Sequence, residues 1–224
     1  LTTYHLPLTA VVGYDTRFLS EEFAHEVASV FASDGIKTLL AKSDLPTPAV
    51  GCAIIAHKAI GGVMITASHN GANYNGLKWM PYWGGAATPS VTDYIERRVE
   101  LLSQHAIKTM AVDRSLKEMW IESVNFRPSY FKQLSSLLDI KAIKKSRLKI
   151  GVDAMHGSAR NYLRPFLEEL GLETMGLHED RDVLFGGRSP EPTAESLRDL
   201  SQLMAKKKLN LGLACDGDGD RFGI

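Results

Sequence analysis

GGVMITASHNGANYNGLKW, residues Gly61 to Trp79, changes character partway along. Gly61 to Ile65 is a short apolar run of the length and composition of a buried strand. It stops at Thr66-Ala67-Ser68-His69-Asn70, and Gly71, Asn73, Asn75 and Gly76 then keep the backbone in a loop. Order returns at Leu77-Lys78-Trp79. A hydroxyl, an imidazole and several amides therefore stand at a strand's carboxyl end, where open α/β sheets usually bind ligands. Ser68 is not framed as G-x-S-x-G, so this is not a nucleophile elbow.

Upstream, Ala10 to Tyr14 reads as a strand ending at Asp15-Thr16-Arg17. Ser20 reads as the N-cap of a helix whose apolar face is Phe23, Val27, Val30 and Phe31. Gly35 ends that helix, and Ile36 to Ala41 is a second strand. Pro46-Thr47-Pro48 opens an apolar helix to about Ala59, and Gly61 to Ile65 is the third strand. This β-α-β-α-β order predicts a layered α/β domain.

Downstream, Leu77 to Tyr82 reads as a strand, and Ser90 to Gln104 as a helix with Val91, Ile95, Val99 and Leu102 on one face. Ile107 to Ser123 has no clear period and marks the approach to a boundary, giving domains at 1–115 and 116–224. A second cycle follows: helix Pro128–Leu138, strand Leu148–Val152, helix Ser158–Leu170 closed by Gly171, strand Leu172–Leu177, helix Pro192–Lys208 and strand Asn210–Ala214. The fold class expected is α/β, two consecutive layered α/β/α domains with mixed sheets.

The 26 basic and 26 acidic residues balance, so nothing in the charge suggests a nucleic-acid partner. Lys144-Lys145-Ser146-Arg147 and Lys206-Lys207-Lys208 read as solvated element ends. Two cysteines, Cys52 and Cys215, sit in apolar runs and read as reduced buried thiols. No apolar run approaches a membrane span and no signal-peptide pattern opens the chain, so a soluble cytoplasmic protein without a membrane partner is expected.

The last strand runs into Cys215-Asp216-Gly217-Asp218-Gly219-Asp220-Arg221. Small residues between the aspartates let three carboxylates converge, and a bound cation would relieve their repulsion. Oxygen ligands suit Mg²⁺, Mn²⁺ or Ca²⁺ rather than Zn²⁺. A solvated Asp-Gly turn is the plain alternative. An EF-hand loop fits much less well, because its sixth position should be glycine and here is Arg221.

TASHNGANYNGLK, from Thr66 to Lys78, closely resembles the phosphoserine loop of the α-D-phosphohexomutases, the phosphoglucomutase and phosphomannomutase enzymes. DGDGDR resembles the same family's metal loop, and the two occur in the family's order. VGYDTR at Val12 to Arg17 and D-x-x-x-G at Asp153 to Gly157 resemble further family motifs. The family's N-terminal G-T-x-G-x-R segment, the third domain's sugar loop and the fourth domain's phosphate loop have no counterpart here. The resemblance thus implies the first two domains of a four-domain phosphohexomutase, with partners in the missing domains III and IV.

It also implies an isomerase of carbohydrate metabolism, a mutase interconverting hexose 1-phosphate and hexose 6-phosphate through a phosphoserine and a hexose 1,6-bisphosphate. Ser68 would carry the phosphoryl group, and Asp216, Asp218 and Asp220 would hold Mg²⁺ together with Ser68. Arg17 and Arg221 would supply positive charge, His69 and Asn70 would orient the loop, and Lys78 would be the general acid/base with a lowered pKa. His156 reads as a loop histidine. The 186–192 stretch looks closer to glucose- or mannose-handling members. Two other readings stay open: a metal-dependent sugar-phosphate phosphatase using Ser68, and a non-catalytic module that binds metal and phosphate.

Overall fold

The computed structural model describes residues 8–102 and 106–224. Its first sheet holds β1 (Thr9–Tyr14), β2 (Lys37–Ala41), β3 (Gly61–Ile65), β4 (Leu77–Pro81) and β5 (Ile121–Val124), ordered β4-β3-β1-β2-β5. β1, β2, β3 and β5 are parallel, and β4 returns antiparallel beside β3. Ala10, Val11 and Val12 of the central strand are fully buried, as a strand covered on both faces requires. The second sheet is ordered β7-β6-β8-β9, from β6 (Lys149–Asp153), β7 (Glu173–Leu177), β8 (Leu211–Cys215) and a short antiparallel β9 (Phe222–Gly223). Both sheets are mixed and both are layered with helices.

The helices are α1 (Ser20–Ser33), α2 (Thr47–Ala56), α3 (Pro89–Leu102), α4 (Val112–Lys117), α5 (Arg127–Leu137), α6 (Ile140–Ser146), α7 (Leu163–Glu169) and α8 (Arg198–Lys207). α4 and β5 fill the stretch that lacked a period. The C-terminus of α3 expected at Gln104 lies outside the described residues. Basic residues of the 144–147 and 206–208 clusters are exposed at the ends of α6 and α8. Among the described residues no helix is long and apolar enough to cross a membrane.

Several local expectations need correction. α1 buries Ser20, Ala24, Ala28, Ser29 and Ala32, whereas Phe23 is exposed; small side chains let the helix lie close on the sheet, and Val27 and Phe31 pack only at its flank. Ser20 is not the cap. Leu19 precedes the helix in a left-handed conformation, and the Ser20 hydroxyl donates instead to Asp15 Oδ1 at 2.9 Å. α3 buries no residue, and Val99 and Leu102 of its expected apolar face are exposed.

The expected helix from Ser158 breaks into a 3₁₀ turn (Ser158–Asn161) and α7. Pro165 has no N–H to bond the Asn161 carbonyl, so a continuous helix would be interrupted there. α8 starts at Arg198 rather than Pro192, and Thr193 and Ser196 exchange side-chain to backbone hydrogen bonds in the reciprocal capping pattern of the turn that leads into it.

β5 lies beyond residue 115, yet it pairs with β2, so the first sheet draws on chain as far as Val124. We therefore propose the domain division just after β5. Across it the two units share one core. Phe131 of α5 meets Phe166 of α7 edge-on at 5.1 Å and Tyr162 at 6.1 Å, and all three belong to the cluster under the first sheet. Arg160 adds a two-pronged, nearly buried ion pair to Asp44 of the first unit. This contact brings the carboxyl ends of β3 and β8 face to face.

Candidate active site

Ser68 is held in a left-handed conformation, φ 55°, a backbone state that costs a non-glycine residue roughly 1–2 kcal/mol. The donor set around it explains how the state persists. Thr66 Oγ1 accepts the Ser68 amide at 2.8 Å while donating to Asp15 Oδ2 at 2.7 Å. Beneath the loop lies Arg17, fully buried. Its Nε donates to Asp15 Oδ2, Nη1 to the Gly71 and Tyr74 carbonyls, and Nη2 to the Ser68 and Asn70 carbonyls, at 2.6–3.0 Å.

All five guanidinium donors are therefore engaged. Arg17 has no guanidinium donor left for a further ligand; it moulds the serine loop from below. Phe185 covers its other side, 4.9 Å from ring centre to guanidinium carbon. His69 contributes through its backbone, the carbonyl accepting from Ser189 Oγ at 2.5 Å, while its buried Nδ1 has no partner among the described residues.

Opposite stands the carboxylate loop. Asp216 and Asp218 are fully buried, Asp220 is partly exposed, and one ligand oxygen from each lies within 4.8 Å of the others. Asp216 Oδ1 accepts the amides of Asp220 and Arg221, both at 3.0 Å, which curls the loop. The Thr47 amide holds the Asp218 carbonyl at 2.8 Å, and Ser158 and Pro190 clamp Gly217. A Cβ on Gly217 would come within 2.8 Å of the Ser68 carbonyl oxygen, so only glycine permits this approach of the loops.

The loops meet directly. Ser68 Oγ donates to Asp216 Oδ2 at 3.2 Å, and the Lys78 ammonium lies 2.8 Å from Asp218 Oδ2 and 2.9 Å from Asp220 Oδ2. Arg221 has its guanidinium half exposed, with Glu191 3.8 Å away. Of the residues singled out in the sequence, Ser68, Lys78, Asp216, Asp218 and Asp220 converge by their side chains. Arg17 and His69 support the loop, and Arg221 braces Asp216 through its amide. The two cysteines are free and partly buried.

Thr47 was not anticipated; its hydroxyl donates to Asp218 Oδ2 at 2.6 Å. Its position in a Pro-Thr-Pro turn signalled a helix start, and no spacing tied it to an aspartate so far along the chain. Ser189 was missed for the same reason.

Burial, then the neighbouring Asp218 charge, pushes the Asp216 carboxyl up to about 7. Burial also raises Asp218, but the Lys78 ammonium outweighs it and holds the carboxyl below its ordinary value. Burial draws Lys78 down, yet Asp218 and Asp220 more than offset this and hold it above the usual lysine value. The lowered value expected for Lys78 rested on a bound cation and on the arginines; the carboxylates by themselves act in the opposite direction, and Arg17 is engaged elsewhere. The group fits a hard cation: three carboxylates, one with a buried Oδ1 on Asp218 that no donor reaches among the described residues, beside a hydroxyl.

Residues 6–106 match the family model of phosphoglucomutase/phosphomannomutase α/β/α domain I, and residues 128–224 match that of domain II. Phosphoglucomutase-1 of Homo sapiens is 34% identical over 95% of this chain, and a probable phosphoglucosamine mutase of Methanothermobacter thermautotrophicus is 34% identical over 95%. The chain spans 42% and 45% of their respective lengths. A putative phosphomannomutase structure from Thermus thermophilus superposes with a TM-score of 0.86 at 32% identity, covering 96% of this chain and 47% of that one.

Proposed function

This chain belongs to the phosphoglucomutase/phosphomannomutase family, and on that premise we propose that it carries the phosphoryl-transfer centre of a hexose-phosphate mutase. In this reading Ser68 alternates between hydroxyl and phosphoserine, and hexose 1-phosphate and hexose 6-phosphate interconvert through a hexose 1,6-bisphosphate. The observation that carries it is the meeting of Ser68 Oγ and Asp216 Oδ2 at 3.2 Å, inside a cluster that also contains Asp218, Asp220 and Lys78.

Phosphoryl transfer depends mainly on positioning and charge neutralisation. Asp216, Asp218 and Asp220 with Ser68 would hold Mg²⁺, which would offset phosphoserine charge and polarise the phosphorus. The chain's own residues supply the rest. Arg17 and Thr66 fix the serine in its left-handed turn, so that its oxygen projects from a rigid loop. A sugar hydroxyl oxygen forms a bond to phosphorus as the bond to the Ser68 oxygen breaks; the hydroxyl proton passes to Lys78 in its neutral form, and the departing Ser68 oxygen takes up a proton. Arg221 adds positive charge at the open side. Sugar recognition would fall to the family's further domains, and the two free cysteines accord with a cytoplasmic setting.

The test is Ser68→Ala in the intact protein. Hexose-phosphate interconversion should be abolished with circular dichroism unchanged; turnover near the parent rate would overturn the assignment. Inorganic phosphate release matching isomer formation would favour a phosphatase instead.

A further inference from the structure

Lys78 stands against the carboxylates that the cation reading requires. It comes from β4 of the first unit, and Asp218 and Asp220 come from the second, 140 and 142 residues later. Two of the three carboxylates thus present an oxygen to its ammonium. Asp218 Oδ2 already accepts the Thr47 hydroxyl, and Asp220 has no other side-chain partner among the described residues.

We propose that Lys78 is the internal counter-ion of the carboxylate loop: it competes with a divalent cation for Asp218 and Asp220, and cation entry releases it. This rests on the reading of that loop as a cation site. A dication and an ammonium are drawn to the same oxygens and repel each other at close range, so the two cannot both keep these contacts at full strength. The backbone of β4 is fixed by its ladder to β3, where Lys78 stands opposite Met64. Release is therefore a swing of the four-carbon stem, and the side chain is exposed enough (36%) for the head to move without unfolding the strand.

The consequence is a coupling within the site. Without a cation the amine is tied across the two domains. The ion that makes the Ser68 environment competent also frees that amine for the substrate, so the cation and the working lysine arrive together.

Calorimetric titration of Mn²⁺ into the full chain and into Lys78→Met tests this, alongside mass-spectrometric mapping of amine acetylation at Lys78 in the parent. Lys78→Met should bind Mn²⁺ about tenfold more tightly, and saturating Mn²⁺ should raise parental Lys78 acetylation several-fold. Saturable parental binding with equal or weaker binding by Lys78→Met overturns the counter-ion role alone. Unchanged Lys78 acetylation under saturating Mn²⁺ does the same, even if the variant fails to fold. No saturable Mn²⁺ binding by the parent overturns the cation reading itself, and the proposal with it.

Discussion

Ser68 Oγ and Asp216 Oδ2 stand 3.2 Å apart although 148 residues separate them in the chain. Beyond this one hydrogen bond, each residue is positioned by its own loop. Ser68 is positioned from beneath by Arg17 and Thr66, and Asp216 by the amides of Asp220 and Arg221. Their meeting depends on the packing of one domain against the other, through the shared core and the Arg160–Asp44 pair. The proposed chemistry is thus a property of the interface.

Arg17→Met should be strongly destabilising. It leaves Asp15 buried without its charged partner and the Ser68, Asn70 and Tyr74 carbonyls without a donor, while Gly71 keeps only the Tyr74 amide. Breaking a buried ion pair on one side costs about 3–5 kcal/mol, which a urea denaturation midpoint would register. Adding Asp15→Asn should recover part of the loss. A single variant as stable as the parent would contradict the supporting role assigned to Arg17.

Gly217→Ala should keep the fold but push the two loops apart, because its Cβ would approach the Ser68 carbonyl oxygen to 2.8 Å and Pro190 Cγ to 3.0 Å. Circular dichroism should be unchanged while Mn²⁺ affinity drops about tenfold or more. Parental affinity would show that the close approach is not needed.

Thr47→Val removes the 2.6 Å hydrogen bond to Asp218 Oδ2 at nearly constant volume. Hydrogen bonds to charged groups contribute about 1.5–3 kcal/mol, and a loss of that size is expected in the unfolding free energy. Thr47→Ser should restore most of it. Equal stability of parent and Val variant would remove Thr47 from the site's framework.

The Cys215 thiol should react sluggishly. Burial, and then the Asp216 charge beside it, push its pKa up to about 12, and burial raises Cys52 as well. Because the thiolate is the reacting form, alkylation at pH 8 should lag far behind the unfolded chain and climb steeply as pH rises. Modification of native Cys215 at the rate of a free thiol would contradict this environment.

The two loops were legible because each is a short contiguous string of unusual composition at the end of an apolar run. Ser68, Lys78 and the three aspartates could be named from such strings. The part played by Arg17 could not, since it depends on carbonyls 51 to 57 residues away that become acceptors only when the loop folds over the guanidinium. The raised pKa of Lys78 was hidden likewise, because its neighbours arrive from the other domain. In α1 the large apolar side chains carry the visible period, whereas close packing on the sheet selects Ala24, Ala28 and Ala32. β5 lacked a period because only Ile121 of its four residues is buried.

The most direct measurement is phosphopeptide mapping of the intact protein after incubation with Mg²⁺ and glucose 1,6-bisphosphate, with Asp218→Asn in parallel. One phosphoryl group is expected on Ser68 of the parent and little or none on the variant. An unmodified Ser68 in the parent, or equal phosphorylation in Asp218→Asn, would contradict a single site built from the serine loop and the carboxylate loop.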